Sequence, residues 1–493
     1  MKILLINPSS SLINKSWAYK RFFTPIAPLG LAYIAGVLEK HKFNVDLIDQ
    51  FATKITDQEL FERVKSFAPD IVGFSALTPT VPDIERLVAG IRKLNKRITV
   101  VLGNIHSTCF PEEVLKENLA DVVVRGEGEL SMLELCQRMD QGLSWENLSG
   151  ISFKSEGRII HNLDREVIED LDSLPLPAWH LLNLDNYREV PLAAINNSRA
   201  FPIAASRGCT YRCYYCSQDK IYKKVRLRNL KKVVDEMEFF NSNLGINFFG
   251  FSDAFFPFDE ESGLEFCSLI MDKGLEKRLK WCTETRVDKV TSVLLKAMKK
   301  AGAHLIMYGV EVGNQKVLNS VMKDASLEQA RFAFKETRRA KILSQGLFIL
   351  GLPGETVKTC NETIKFAKEL DCDIVKFNLA MPYPGSQFFE DYKNLLKWQN
   401  KEKFTSWHDW LNIQGDLIYT PEGIDGDTLR RLQRRAMFEF YVRPRVIFRN
   451  ILKRTVTFKN IFFGGVWLLC LLYFEVKANL ISFMTGRKKR LQG

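Results

Sequence analysis

The chain has 493 residues, and with 46% apolar and 26% charged residues it has the balance of an ordinary globular protein. That excludes a largely disordered chain, a collagen-like chain and a polytopic membrane protein, and the length suggests roughly three domains. The formal charge of +12 is uneven: Arg430–Gly493 holds 15 Lys+Arg against Glu439 and Glu475, leaving 55 basic and 56 acidic residues in 1–429. A basic excess raises nucleic acid or an anionic membrane as partner. Here it belongs to the tail alone, among Phe, Ile and Leu, and no nucleic acid is expected.

Met1–Pro8 reads as a short buried strand rather than a secretory leader. A cytoplasmic location is therefore expected, with thiols or metal ligands in place of disulfides. Over residues 1–140, short Val/Ile/Leu-rich runs alternate with amphipathic segments. The strands are Lys2–Ile6, Asn44–Ile48, Ile71–Phe74, Thr99–Leu102 and Val122–Val124. The helices are Leu29–Lys40, Asp57–Phe67, Pro82–Leu94, Pro111–Asn118 and Glu129–Met139. Such units predict a doubly wound, Rossmann-like parallel sheet, which binds ligands beyond the carboxyl ends of its strands. The loops there, Asn7–Ser10, Asp49–Phe51, Ser75–Thr80, Gly103–Thr108 and Arg125–Gly128, are rich in Asn, Ser, Thr and Gly, as a polar ligand requires.

Residues 141–200, with Pro175, Pro177 and Pro191, read as a connecting region. Residues 201–390 alternate again, with strands at Ile203–Ser206, Ile246–Phe251, Lys280–Thr283, His304–Val310, Gln345–Ile349 and Ile374–Phe377. Six such units fit a partial α/β barrel, whose site lies at the carboxyl ends of its strands. After the first strand comes Arg207-Gly208-Cys209-Thr210-Tyr211-Arg212-Cys213-Tyr214-Tyr215-Cys216. Three thiolates in one loop can each hold an iron of a four-iron cluster and leave the fourth open for chemistry. Zinc is the rival, and it needs a fourth ligand; no His lies between Ile203 and Leu230.

This spacing resembles the signature of the radical S-adenosylmethionine (SAM) superfamily. The resemblance implies a [4Fe-4S] cluster on Cys209, Cys213 and Cys216 that reductively cleaves SAM, with an external one-electron reductant of flavodoxin or ferredoxin type. Further stretches agree. Phe251-Ser252-Asp253 ends the second barrel strand, and Asp253 is implied near the SAM amino group. Glu284 and Arg286 follow the third strand and are implied as further SAM contacts. Tyr308–Gly313 resembles the family's Gly-x-Glu-Ser-Gly stretch, with Val312 for Ser, and places Glu311 on the ribose or carboxylate side of SAM. Tyr215 would approach the adenine, and Leu350–Thr356 matches the late-strand turn.

The first domain is similar to the cobalamin-binding domain of B12-dependent radical SAM proteins, through Ala27–Leu31, Gly73–Thr78, Gly103–His106 and Val124–Glu129. The implied cobalamin contacts are Asn7, Leu29, Gly30, Ser75, Leu77, Thr78, Gly103, His106, Gly126 and Glu127. The Asp-x-His-x-x-Gly motif that supplies an axial histidine is absent, and His106 is expected to be a positioning or structural residue. The expected activity is carbon methylation of an apolar or lipid-like substrate. The alternatives are a radical oxidative cyclase or ring-rearranging enzyme of tetrapyrrole or polycyclic lipid type, and a cofactor-binding sensor or scaffold that does not turn over.

Residues 391–493 form the C-terminal region. Trp398, Trp407, His408 and Trp410 cover the substrate side or pack in a core. Leu429–Lys459 is a basic helix candidate, followed by the apolar Ile461–Phe474, too short at 14 residues for a span. With its basic flanks it reads as a segment on an anionic membrane, peripheral on the inner face of the cytoplasmic membrane. The alternative is a solvated basic helix beside a buried one.

Overall fold

The computed structural model describes residues 1–10, 25–187, 198–393 and 417–452. The first sheet is built around β1 (Lys2–Asn7), where Ile3, Leu4, Leu5 and Ile6 are all 2% exposed or less. A strand so completely buried must be covered on both faces. Ile3 and Leu5 pack with Leu31, Ala35 and Leu38 of α1 (Leu29–Lys40) and Leu135 of α7 (Glu129–Asp140). Leu4 and Ile6 pack with Leu60 and Val64 of α3 (Asp57–Phe67) and Ile84, Leu87 and Ile91 of α4 (Val81–Leu94). Thr56 caps α3 reciprocally: its hydroxyl accepts from Glu59 N at 3.2 Å, and its own N–H donates to Glu59 at 2.7 Å. Short helices α2 (Gln50–Thr53), α5 (Ile105–Cys109) and α6 (Pro111–Lys116) turn the loops beyond the strands.

The strand order is β2-β1-β3-β4-β5-β6-β7, with β2 at Asn44–Asp49, β3 at Ile71–Ser75, β4 at Thr99–Gly103 and β5 at Val122–Val124. The region expected as a connector begins instead with two more strands of this sheet. β6 (Ile151–Ser155) pairs antiparallel with β5, and β7 (Arg158–His161) with β6. They are joined by Glu156 and Gly157, both at positive φ (46° and 78°), as a two-residue hairpin requires. The rest of the connector is packed: the rings of Trp179 and Tyr187 lie 5.1 and 5.2 Å from that of Phe201.

The second sheet is parallel, in the order β15-β14-β13-β12-β11-β8. Its strands are β8 (Ala200–Ile203), β11 (Phe248–Phe251), β12 (Lys280–Thr285), β13 (Ala303–Glu311), β14 (Leu343–Leu350) and β15 (Ile374–Leu379). β8 and β15 do not pair, so the barrel is partial, as expected. Helices α8 (Leu230–Leu244), α9 (Glu260–Asp272), α10 (Ser292–Lys300), α12 (Leu327–Arg339) and α13 (Val357–Leu370) alternate with the strands, with α11 (Gln315–Ser320) after β13 and α14 (Gln387–Tyr392) after β15.

The basic segment expected as one helix over Leu429–Lys459 is two. α15 (Gly426–Tyr441) and α16 (Pro444–Leu452) are separated at Val442–Arg443, because proline disfavours helical backbone in the residue before it. α15 completes the barrel wall: Gln433 donates to Phe377 O at 2.8 Å, and Leu429, Leu432, Ala436 and Phe440 are buried. Part of the basic excess is consumed by docking. Arg443 donates to Lys368 O at 2.8 Å, Arg445 pairs with Asp371 at 3.1 Å, and Arg449 pairs with Asp371 at 3.1 Å and Asp373 at 3.2 Å. The aromatic segment with Trp398, Trp407, His408 and Trp410, and the apolar run Ile461–Phe474, lie outside the described residues. Among the described residues no helix is long and apolar enough to cross a membrane.

Leu429 is fully buried against Gly351, where an added Cβ would lie 2.6 Å from its side chain. Leu429→Ala is expected to cost about 2–5 kcal/mol, read as a lower urea-unfolding midpoint; an unchanged midpoint would show that α15 is not part of the barrel core.

Candidate active site at the junction of the two sheets

β8 ends at Ile203, and the chain enters a small ribbon in which β9 (Ser206–Arg207) pairs antiparallel with β10 (Arg226–Leu227). The cysteine loop springs from this ribbon. Gly208 has φ +92°, and a Cβ there would lie 2.4 Å from Lys224 O, so only glycine fits. Within the loop, Tyr214 N donates to Val321 O at 3.0 Å and Cys216 N to Cys213 O at 3.0 Å. Cys209 and Cys213 are partly exposed and Cys216 exposed, all as thiols. Burial raises the pKa of Cys213 and Cys216, and the charges of Lys323 and Arg286 oppose this at Cys213. No group of three His, Cys, Asp or Glu among the described residues closes on a single-ion position. Three thiols of one loop can each take a different iron of a cluster.

The carboxylates expected near SAM are placed at the barrel mouth, and most have protein partners. Asp253 accepts from Ala205 N at 3.1 Å and from the Ser206 hydroxyl, which pins the approach to the cysteine loop. Burial pushes its carboxyl up to about 7, against those hydrogen bonds. Glu311 sits at φ +69° and accepts from Lys323 Nζ at 2.6 Å in a buried pair. Gly309 makes room for it, since a Cβ there would lie 2.6 Å from Glu311 Oε1 and 2.8 Å from Lys323 Nζ. The Tyr215 hydroxyl is buried and forms no hydrogen bond of normal geometry; burial and nearby Glu311 raise its pKa well above the usual value. The Arg286 guanidinium stacks 3.4 Å from the Tyr211 ring centroid, pairs with Asp288 at 2.8 Å and donates to Asp324 O at 2.7 Å, so it braces the cysteine loop. Glu284 stays accessible inside the mouth, its pKa raised by the surrounding protein and by Glu311.

A cavity of about 250 Å³ lies where the first sheet's carboxyl edge meets the barrel mouth. Leu29, Gly30, Ser75, Gly103, Gly126 and Glu127 wall it from one side, and Ala204, Ser206, Gly208 and Ser252 from the other. Four residues expected at cobalamin do not line it. Asn7 donates to Asp49 at 3.1 Å, and Asp49 accepts from the buried Tyr187 hydroxyl at 2.7 Å. Leu77 is 43% exposed. Thr78 and His106 are buried and 3.3 Å apart, and burial lowers the His106 pKa to about 3, so the ring is neutral.

Glu127 carries a further role that its sequence position does not reveal. It accepts from Arg207 at 2.8 Å and from Arg226 at 2.7 Å, while Arg207 also pairs with Glu129 at 2.5 Å. All four side chains are 10% exposed or less. Burial alone would raise the Glu127 carboxyl, yet the two arginines hold it below its usual range. Arg207, Arg226, Lys323 and Asn104, which donates to Ser75 at 2.9 Å, are site residues that the sequence reading missed. Arg207 stood in the quoted motif, but its partners lie 78 and 80 residues away.

Glu127→Gln leaves the buried Arg226 without a carboxylate, Arg207 keeping Glu129, and is expected to cost about 3–5 kcal/mol, with a matching fall in the thermal midpoint; Arg226→Met added to it should recover part of the loss. Because the folded Asp253 carboxyl titrates near 7, above its unfolded value, the folded state binds the extra proton. Stability from this group is full at low pH and is lost as pH rises toward 7. Asp253→Asn is therefore expected to gain on the wild type between pH 5 and about 7 and to level off above it, measured as the difference in thermal midpoints.

Comparison with known proteins bears on the whole of this arrangement. The B12 binding domain family matches residues 21–136, and the radical SAM superfamily matches residues 203–367. An uncharacterized methyltransferase of Pyrococcus horikoshii is 31% identical over 458 residues, 92% of this chain and 95% of its own length. The anaerobic magnesium-protoporphyrin IX monomethyl ester cyclase of Rubrivivax gelatinosus is 31% identical over 82% of this chain and 72% of its own. The fold is that of the radical SAM methyltransferase TsrM from Kitasatospora setae, with a TM-score of 0.67 at 21% identity over 80% of this chain and 76% of that one. The cofactors are accordingly cobalamin, a [4Fe-4S] cluster and SAM. With likeness to the first relative along nearly its entire length, the chain belongs to the cobalamin-binding radical SAM enzymes.

Proposed function

We propose that this enzyme forms a carbon–methyl bond at an unactivated carbon of an apolar or lipid-like substrate. The observation that carries the reading is a cavity walled by both domains, which brings the edge expected to face cobalamin against the base of the cysteine loop. When bound, the reduced cluster supplies the electron that cleaves SAM to a carbon radical, and cobalamin supplies a transferable methyl group. In this reading Cys209, Cys213 and Cys216 hold the cluster, and Leu29, Gly30, Ser75, Gly103 and Gly126 face cobalamin. Apolar walls from Leu5, Leu31, Ile34 and Phe74 exclude water and stray hydrogen donors. Methyltransferases among the relatives, including the cytidylyl-2-hydroxyethylphosphonate methyltransferase of Streptomyces wedmorensis, support this choice. Ring-forming oxidation is the second reading, favoured by the cyclase relative at the same 31% identity as the first methyltransferase. An external one-electron reductant of flavodoxin or ferredoxin type serves either.

Anaerobic holoprotein given a low-potential reductant and SAM is expected to release 5′-deoxyadenosine, and Cys213→Ala is expected not to. With methyl-deuterated SAM and an extract of a deletion strain, the product should carry the whole labelled methyl group. Hydrogen loss without label would favour ring formation, and absence of 5′-deoxyadenosine would overturn both readings.

We further propose that the tail holds the enzyme on the inner face of the cytoplasmic membrane. On α16, Ile447 is 48% and Phe448 66% exposed, and the neighbouring Arg445 side chain is 74% exposed. Beyond it, residues 453–493 carry eight Lys+Arg against Glu475. Exposed apolar residues beside a basic run suit an anionic membrane surface. Deletion of Lys459–Gly493 is expected to move the protein from the membrane pellet to the soluble fraction; unchanged partitioning would overturn the idea.

A further inference from the structure

Side chains of the second sheet alternate between a helix-covered outer face and an inner one. Trp281, Val375 and Phe377 join the outer core. Cys282, Leu305, Leu343 and Ile374 instead close on Phe248 in a separate cluster drawn from five strands. Those strands are not all neighbours, so their side chains meet only across the barrel lumen, where they form its apolar floor. Two residues further toward the carboxyl ends, on the same face, stand Glu284, Met307, Gln345 and Lys376, with Asn378 two beyond Lys376.

This second layer is polar and open. Glu284, Lys376 and Asn378 are exposed, and Gln345 is buried between them and the floor. Burial and then Glu311 raise the Glu284 pKa, and the charges of Lys323 and Lys376 oppose that rise. β12 and β15 are separated by β13 and β14, and both groups stand on the same face as the apolar floor, so they face each other across the lumen. Glu311 and Lys323 satisfy one another at 2.6 Å, but among the described residues neither the Glu284 carboxylate nor the Lys376 ammonium has a hydrogen bond or an ion pair. A half-desolvated carboxylate and amine left apart contribute nothing to folding stability, and charges kept in that condition mark binding sites.

We propose that this layer recognises the substrate: Lys376 takes an acidic group, a carboxylate or a phosphate, and Glu284 accepts a hydrogen bond from a hydroxyl or amine beside it. The substrate is then an amphipathic acid that enters polar end first, with its apolar body toward the cavity between the domains. Only the statement that the bound molecule is the substrate rests on the methyl-transfer reading; the acid site itself does not.

Equilibrium dialysis of the holoprotein with hexanoate, hexyl phosphate and hexanamide tests this. Hexanoate or hexyl phosphate is expected to bind saturably and at least about tenfold more tightly than hexanamide, and the tighter of the two anions identifies the acid. Lys376→Gln and Lys376→Met should lower anion binding to the hexanamide level, and Lys376→Arg should retain most of it. Parity of hexanamide with the anions in the wild type, no retention of either anion, or full anion binding by a folded Lys376→Gln would each overturn the proposal. The wild-type contrast decides without any variant. Parity alongside normal 5′-deoxyadenosine formation overturns this inference alone, and anion binding without label transfer overturns the methyl-transfer reading alone.

Discussion

The position of the cysteine loop depends on one cluster of buried charges. Arg207 stands two residues before Cys209 and is held by Glu127 and Glu129, which turn from β5 into α7 in the other domain. Arg226, on the partner strand of the same ribbon, takes the second oxygen of Glu127. Removing four charged groups from water costs several kcal/mol per ion, which only well-formed pairing returns. Any other alignment of the two sheets would leave those charges buried and unpaired. The cluster thus selects one docking geometry from the many that apolar contact alone would permit.

The same constraint explains the glycine. With Arg207 fixed and the ribbon paired, the chain must reverse immediately, against the Lys224 carbonyl, to present Cys209. Asp253 holds the other side of the turn through Ala205 and Ser206, and Arg286 lies flat on Tyr211 at its far end. The loop is set by contacts from both domains, as preorganised metal ligands need.

Periodicity made much of the fold legible. The helices Leu29–Lys40 and Asp57–Phe67 agree with the sequence reading to the residue; the first is a long apolar run after Pro28, and the second an apolar stripe behind the Thr56 cap. β6 and β7 were missed because strands of five and four residues carry too little alternation, although Glu156-Gly157 marked the turn. The break before Pro444 is legible in the proline itself, although the arginines continue across it as on one helix. In the site, the cysteines and glycines follow from local motifs. Lys323, Arg226 and the second role of Glu127 do not, since charge pairing across 12 to 99 residues leaves no local pattern. Asn7, Thr78 and His106 sit in loops of the right composition, but a polar loop must also satisfy itself, and these residues are engaged in doing so.

The docking of α16 sets an orientation. Asp371 and Asp373, which hold Arg445 and Arg449, immediately precede β15. They therefore lie at the amino-terminal pole of the barrel, whereas the cysteine loop and the cavity lie at the carboxyl-terminal pole. The basic tail of residues 453–493 thus follows a helix docked on the side away from the mouth. A surface engaged by the first residues of that tail would lie beneath the barrel, with the catalytic opening turned outward, and a substrate drawn from that surface would have to travel the height of the barrel to reach it.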